Sequence, residues 1–142
     1  MPEPTWMEPT SVNIRAHPDD GVWQQALPYV EGPALLKIEA VGQWNYSTQF
    51  ARPCSANGDL LSPLDPKRCI HEKSPVGALI GRIGGSIADK DATAIFVVGS
   101  LCVRKLEMES TGPLFLTIND MWNGFGDNSG ELTVNIYLGH AQ

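Results

Sequence analysis

The chain has 142 residues, of which 14 are glycine and 11 are proline, and its net charge is −6 at pH 7. This length fits a single domain, residues 1–142, with a core of its own. The excess of acidic residues argues against nucleic acid or an anionic membrane as the main partner. Since no apolar run reaches about 18 residues, no membrane span is predicted.

The first part of the chain reads as short strands separated by turns. Residues 1–10 are rich in proline and predict a loose lead-in, without the apolar stretch of a signal peptide. Val12 and Ile14 mark a first strand, and another apolar segment begins at residues 22–23. Apolar and charged side chains alternate in residues 35–41, which indicates a half-buried strand.

Residues 42–74 form an irregular, polar segment, and a loop of this length in a compact domain is usually functional or poorly ordered. Trp44, at its start, is expected in the core. Strand patterns then resume in five segments separated by turns: 77–83, 94–98, 103–108, 114–118 and 132–136. No segment has a helical period with caps. Many short strands with frequent turns predict an all-β fold, an antiparallel β-sandwich.

The cysteines, Cys54, Cys69 and Cys102, are odd in number, and none has the C-x-x-C spacing of zinc or thioredoxin-like sites. Cys54 and Cys69 flank a proline-rich loop and would be able to pair in an oxidising compartment. Nothing in the sequence fixes one opposite the other, so we expect no bond between them. Cys102 follows an apolar run and is expected to be a buried thiol.

The sequence lacks the usual arrangements of catalytic residues. Gly81-Arg-Ile-Gly84 is not followed by the Gly-Lys-Ser/Thr of a phosphate loop, and Ser129 is not in a Gly-x-Ser-x-Gly elbow. The histidines at positions 17, 71 and 140 are isolated from one another. Because no nucleophile and base can be paired, we predict that the protein is not an enzyme.

The loop 119–130 carries the clearest functional signal. It combines three glycines with the polar residues Asn119, Asp120, Asn123, Asp127, Asn128 and Ser129. Glycines allow sharp turns, so side-chain and backbone oxygens can converge as Ca²⁺ requires. The sixth-position glycine and twelfth-position glutamate of an EF-hand are absent. The same composition also suits an ordinary polar hairpin loop, so spacing alone leaves both interpretations open.

Trp122 lies inside this polar loop, where an indole ring has no strand to pack on. An exposed aromatic face commonly stacks on the apolar face of a pyranose ring. Alternatively, the indole ring folds back and covers the core as a packing residue. The sequence therefore leaves two interpretations of Trp122 open, a sugar contact and a packing residue.

Four stretches match a known pattern: Ala40-Val-Gly-Gln-Trp44; Asn57-Gly-Asp59; Gly77-Ala-Leu-Ile80 with Ile83-Gly84; and Asn119-Asp120 followed by Gly126-Asp-Asn-Ser-Gly130. Through them, residues 35–139 resemble the bacterial calcium-dependent galactophilic lectin family and the accessory domains related to it. The last stretch is the most specific, and the first 30 residues add little. The resemblance implies a small jelly-roll β-sandwich, a galactose-binding lectin-like fold, that binds Ca²⁺ and sugar.

The resemblance also implies which residues form the site. The calcium ligands would be the side chains of Asp120, Asp127 and Asn128 and the backbone carbonyls of Gly124 and Tyr46. Trp44 or Asn45 are the alternatives for the last carbonyl. In the family, galactose binds the metal through two ring hydroxyls. Because Trp122 shares the loop 119–130 with the proposed metal ligands, we expect the sugar to lie between this loop and the loop 57–65. Its contacts would be Ser62, Asp65, Asp120, Trp122 and Asp127.

Three positions depart from the family pattern. Asp127 stands where the family lectin has asparagine, which adds a negative charge for the metal and removes an amide donor for the sugar. Ser62 and Asp65 stand in place of a sugar-contacting histidine and glutamine. Serine offers no imidazole, and aspartate accepts hydrogen bonds without donating them. The resemblance therefore implies a metal and a sugar without defining galactose as that sugar.

These observations predict a non-catalytic carbohydrate-binding domain whose partner is a glycan or a polysaccharide and whose cofactor is Ca²⁺. The alternative is a structural or interaction domain of a larger secreted protein, in which the calcium is purely structural or absent. An extracellular or periplasmic location is favoured, and a homo-oligomer is compatible with the sequence.

Overall fold

The computed structural model describes residues 5–17, 22–46, 53–62, 66–84, 95–108, 110–121 and 128–140. These residues form ten strands and a short 3-10 turn at Pro66–Arg68. In chain order the strands are β1 (Thr5–Trp6), β2 (Thr10–Arg15), β3 (Gln24–Val30), β4 (Ala34–Val41), β5 (Trp44–Asn45), β6 (Leu79–Ile83), β7 (Ile95–Val97), β8 (Leu101–Leu106), β9 (Gly112–Ile118) and β10 (Ser129–His140).

The strands form two antiparallel sheets, which confirms the predicted β-sandwich. The first sheet has the order β1-β10-β4-β8, with β2 and β5 also paired to β10, and the second has the order β3-β9-β6-β7. The alternation read from the sequence places the core. On β10, Leu132, Val134 and Ile136 are buried, and they lie beside Ala40 and Ile38 of β4. Trp44 is fully buried, as predicted.

One strand departs from the predicted alternation. The alternation of Leu114, Leu116 and Ile118 predicts a polar opposite face with Thr117 and Asn119, yet both of these are fully buried, and Phe115 is buried too. A second apolar cluster covers this face, and its members are Trp23, Ile70, Ile80, Ile95 and Phe115. Within it the hydroxyl of Thr117 donates to the carbonyl of Val22 at 2.7 Å. The hydroxyl is therefore satisfied inside the protein rather than by solvent.

The loose lead-in expected over residues 1–10 needs a correction in its described part. Thr5 and Trp6 form β1 and pair with His140 and Gly139 at the end of β10. The absence of a side chain at Gly139 makes room for the Trp6 ring, because a Cβ there would lie 2.6 Å from Cε3 of Trp6. A pairing over such a sequence distance leaves no local signal in the first ten residues.

One expectation for the cysteines needs a correction: Cys102 was predicted to be buried, but it is only half-buried because β8 is the edge strand of its sheet. Cys54, Cys69 and Cys102 are reduced thiols, the first two buried and the third half-buried. Burial raises the pKa of the Cys102 thiol, and the nearby Arg104 guanidinium opposes that shift. Across the described ranges, no helix has the length and apolar character needed to cross a membrane.

Candidate functional site

Four of the predicted site residues lie in the described part of the chain: Tyr46, Ser62, Asp120 and Asn128. The other four lie outside the described residues: Asp65, Trp122, Gly124 and Asp127. The surroundings of one half of the predicted set can therefore be described.

Tyr46 and Asn128 are brought to neighbouring positions by strand pairing. Asn45 of β5 lies opposite Ser129 of β10. Tyr46 directly follows β5, and Asn128 directly precedes β10. Both residues are buried, at 2% and 5% exposure. The pairing of β5 with β10 therefore brings the segment that carries Tyr46 towards the residue before β10.

Of the two polar atoms in the Asn128 side-chain amide, only the nitrogen has a hydrogen-bond partner among the described residues. Its Nδ2 donates to the carbonyl of Ala16 at 2.9 Å. Its Oδ1 is buried and has no hydrogen-bond partner among the described residues. Leaving a buried oxygen unsatisfied costs about 1–3 kcal/mol. An oxygen fixed in this way fits a cation ligand.

Asp120 is also buried, at 1% exposure. Its Oδ1 accepts a hydrogen bond from the backbone N–H of Met121 at 2.7 Å, and its carbonyl accepts one from Ile70 at 3.0 Å. A carboxylate is costly to bury, so its position calls for compensating positive charge or hydrogen bonds. These backbone bonds fix the orientation of Asp120.

Gly77 connects Asp120 with Tyr46. The N–H of Gly77 donates to the carbonyl of Asn119 at 2.8 Å, one residue before Asp120. A Cβ on Gly77 would lie 3.1 Å from Cδ1 of Tyr46, so the Tyr46 ring packs directly on this glycine. Gly77 therefore contacts the Tyr46 ring and the backbone next to Asp120, while Asn128 precedes β10, which pairs with β5. Within the described ranges, no group of three or more His, Cys, Asp or Glu side chains has metal-binding geometry.

Asn119 builds the wall beside this region. Its side chain is fully buried and makes four hydrogen bonds to the backbone of residues 71–75. Oδ1 accepts from the N–H of His71 at 2.9 Å, while Nδ2 lies 3.0–3.1 Å from the carbonyls of His71, Ser74 and Pro75. A single amide thus fixes the path of a loop that has no regular secondary structure.

A groove of about 300 Å³ lies between two loops beside this wall. It is lined by Asp59, Leu60, Ser62, Glu72, Lys73, Ser74, Pro75 and Val76. Its volume is at the lower end of the range for small-ligand sites. The hydroxyl of Tyr46 donates to Oδ2 of Asp59 at 2.6 Å, which links the groove to the buried Tyr46 side chain. Ser62, one of the predicted sugar contacts, lines this groove.

The groove carries both signs of charge and two hydroxyls, those of Ser62 and Ser74. Behind it, Nδ1 of His71 lies 2.5 Å from the Ser74 hydroxyl. Burial lowers the pKa of His71, Lys73 lowers it further, and Glu72 opposes both. The imidazole is therefore neutral at pH 7 and able to share a hydrogen bond with Ser74.

The sequence interpretation did not identify Asp59, Glu72, Lys73 and Ser74 as lining residues. Asp59 belongs to a matched stretch, which is the only sequence signal that points to it. Glu72, Lys73 and Ser74 enter the groove because Asn119, 45 residues beyond Ser74, holds their loop. A bond over that separation has no local signature.

No family model matches the sequence, and no curated protein matches it either. Solved structures do match the fold. One of them is described as "EclA N-terminal domain; PllA-like lectin", with a TM-score of 0.61 and 18% sequence identity over 95% of this chain and 97% of that one. At this identity the likeness concerns architecture. The chain shares the β-sandwich architecture of that structure.

Proposed function

We propose that the protein is a non-catalytic carbohydrate-binding domain that holds its sugar through a bound Ca²⁺. The observation that carries the proposal is the amide of Asn128, whose nitrogen is anchored to Ala16 while its buried oxygen has no partner in the described structure. The lectin-type fold of the chain supports the sugar as ligand.

The oxygens available suit calcium. Asp120 would supply a carboxylate, Asn128 an amide oxygen and Tyr46 a backbone carbonyl, with Gly124 and Asp127 completing the set from outside the described residues. Calcium takes six to eight oxygens of these kinds in a flexible geometry, whereas magnesium requires a smaller octahedron. When bound, the ion offers sugar hydroxyls a direct ligand position.

The groove supplies the complementary surface for the sugar. It has acceptors at Asp59 and Glu72, a cationic donor at Lys73 and hydroxyls that both donate and accept. A sugar presents hydroxyls of both kinds, so a mixed lining suits it better than a lining of one charge. Trp122 would add an aromatic face, and Asp65 and Asp127 further acceptors.

A glycan array tests the proposal with the wild type, Asp120→Asn and Glu131→Gln, each in calcium and in chelator. We expect the wild type and Glu131→Gln to bind glycans in calcium alone, because Glu131 is exposed on β10. Asp120→Asn should lose binding in both conditions. Glycan binding that persists in chelator would contradict the calcium bridge.

A structural role for the ion is the second candidate. Asp120 and Asn128 are almost completely buried, so an ion between them would brace the fold whether or not a sugar is present. In that case chelation would lower the melting temperature and no glycan on the array would bind.

A further inference from the structure

The end of β2 is hydrogen-bonded on both of its sides. The N–H of Ala16 donates to the carbonyl of Gly130 at 3.0 Å, and the carbonyl of Ala16 accepts from Nδ2 of Asn128 at 2.9 Å. In an antiparallel strand, the backbone groups of successive residues point to opposite sides. The backbone groups of Ala16 therefore face the start of β10, and those of Arg15 face the other side, where they meet Gln24.

Gln24 bonds both backbone groups of Arg15. Its Oε1 accepts from the N–H of Arg15 at 2.8 Å, and its Nε2 donates to the carbonyl of Arg15 at 2.9 Å. One side-chain amide thus satisfies a donor and an acceptor of the same residue, as a neighbouring strand would. Among the strands that the structure describes, β2 pairs with β10 alone, so Gln24 takes the place of a second neighbour at this point.

Gln24 reaches Arg15 from the other sheet of the sandwich. It is the first residue of β3, which pairs with β9, whereas β2 and β10 belong to the first sheet. The preceding residue, Trp23, is buried at 2% exposure, which anchors the start of β3 in the protein interior. The amide of Gln24 therefore joins the two sheets where β2 ends.

A short series of bonds connects Gln24 with Asn128. The carbonyl of Arg15 and the N–H of Ala16 belong to one planar peptide unit, with Gln24 bonded on one side and Gly130 on the other. The next carbonyl along the chain, that of Ala16, accepts from Nδ2 of Asn128. Since Oδ1 of Asn128 has no partner among the described residues, the direction of this oxygen depends on the carbonyl of Ala16.

The bonds of Gln24 also fit a simpler role, the closing of a strand edge. An edge strand presents unpaired N–H and C=O groups, and proteins commonly cover them. The two roles differ in what the loss of Gln24 would change. Edge closure alone affects the stability of the fold, whereas control of Oδ1 of Asn128 affects the affinity for an ion that this oxygen binds.

We propose that Gln24 is a positioning residue for the calcium site, acting through Arg15 and Ala16 to orient Oδ1 of Asn128 toward the ion. This inference rests on the proposed function, in which Asn128 is a calcium ligand. Loss of a group that orients a metal ligand typically lowers metal affinity about 10–100-fold. Gln24 is further from the ligand than such a group, because the Arg15-Ala16 backbone lies between them, so we expect a smaller effect.

Calorimetric titration of chelated protein with calcium measures this effect. Gln24→Ala should bind calcium roughly three- to tenfold more weakly than the wild type, at or below the lower end of the range for groups that contact a ligand directly. Gln24→Glu should have an intermediate affinity, because it keeps the acceptor for the N–H of Arg15 and loses the donor to its carbonyl.

Two variants serve as controls. Gln25→Ala changes the same residue type at the next position, where the side chain is exposed. Ser11→Ala removes a hydrogen bond to Asn135 elsewhere on β2, and so tests whether weakening this strand is sufficient. Both should bind calcium as the wild type does. A loss in Ser11→Ala equal to that in Gln24→Ala would overturn the inference.

A double-mutant cycle with Asn128→Ala distinguishes positioning from a general loss of stability. If Gln24 acts through Asn128, Gln24→Ala should weaken calcium binding in the wild type and have no further effect in Asn128→Ala. Gln24→Glu replaces Gln24→Ala in the cycle if the alanine variant does not fold.

Equal weakening in both backgrounds, or none in the wild type, would overturn the role of Gln24 and leave the calcium site in place. Unchanged calcium binding by Asn128→Ala alone would remove this ligand and the inference with it. Failure of the wild type to bind calcium would overturn the proposed calcium bridge as well.

Discussion

The phenolic hydroxyl of Tyr46 donates a 2.6 Å hydrogen bond to Oδ2 of Asp59, joining the segment after β5 to the turn that carries the groove. We expect Tyr46→Phe to lower the free energy of unfolding by about 1–2 kcal/mol, because the hydrogen bond is to a charged group. Tyr29→Phe, at an exposed tyrosine, is the control and should change stability little. Urea unfolding measures both.

Tyr46→Phe also separates the two roles of this residue. Its backbone carbonyl is the proposed calcium ligand and is unaltered by the substitution. Calcium affinity should therefore remain close to that of the wild type, while glycan affinity falls because Asp59 loses its support. Equal loss of calcium and glycan affinity would show that the hydroxyl is needed to form the metal site.

Calcium should stabilise the fold against heat. If the dissociation constant is on the order of 10 μM, about 1 mM calcium contributes roughly 2.7 kcal/mol. That corresponds to a rise in melting temperature of about 3–6 °C. Magnesium should produce much less, Asp120→Ala should abolish the response, and Asn128→Ala should weaken it. Melts of chelated protein with each ion added back decide this, and an absent calcium response in the wild type would remove the metal.

Asn119 should be among the most sensitive positions in the protein. In Asn119→Asp the acceptor for His71 is retained, but the three carbonyls that the amide nitrogen contacts would face a carboxylate. We expect a loss of roughly 3 kcal/mol in the free energy of unfolding.

Asn135→Asp is the matched control, because Ser11 donates to Oδ1 of Asn135, an acceptor that aspartate keeps. It should change stability little. A loss in Asn119→Asp no larger than in Asn135→Asp would mean that residues 71–75 are held by other contacts.

His71 should make stability fall on acidification. Its pKa in the folded protein is lowered, mainly by burial, so the unfolded chain binds more protons at this site. Stability linked to His71 is complete above the unfolded pKa of about 6.5 and is lost as the pH falls from there toward the lowered folded value. Between about pH 7.5 and about pH 5.5, the wild type should lose more stability than His71→Gln in chemical unfolding. If the stability of the wild type and of His71→Gln falls equally over this pH range, His71 is not the group responsible.

The fold was predictable wherever burial follows a strict alternation. Leu36 and Ile38 on β4 and Leu132, Val134 and Ile136 on β10 face the core as their spacing predicts. The burial of Phe115 and Thr117 was not predictable, because the cluster over that face gathers residues from distant parts of the chain. The position of Trp6 beside Gly139 depends on non-local pairing in the same way.

The residues of the candidate site were also only partly predictable from the sequence. The family resemblance pointed to Tyr46, Asp120 and Asn128, and all three are buried in the structure. It also selected Ser62, which lines the groove. The family resemblance did not point to residues 72–76, which form the other side of the groove. Their position depends on side-chain hydrogen bonds from Asn119.

A thiol titration tests whether Cys54 and Cys69 form a disulfide. Denatured, unreduced protein should titrate as three thiols, since all three cysteines are reduced in the structure. In the native protein Cys102 should react first, because it is the half-buried one. Its raised pKa means that the rate increases at a higher pH than for an exposed cysteine. One thiol instead of three would show that Cys54 and Cys69 pair.

The central position of β10 has a consequence for synthesis of the protein. Four strands from the first 45 residues, β1, β2, β4 and β5, pair with a strand that ends at residue 140. During synthesis on the ribosome these early strands have no β10 to pair with. Their unpaired backbone edges and apolar side chains are then exposed to chaperones or to other nascent chains. Pairings so distant in sequence are slow to form, in the range of milliseconds to seconds for β-rich domains. Because Asn128 directly precedes β10, its side-chain oxygen reaches its final position only after β10 has paired with β4 and β5.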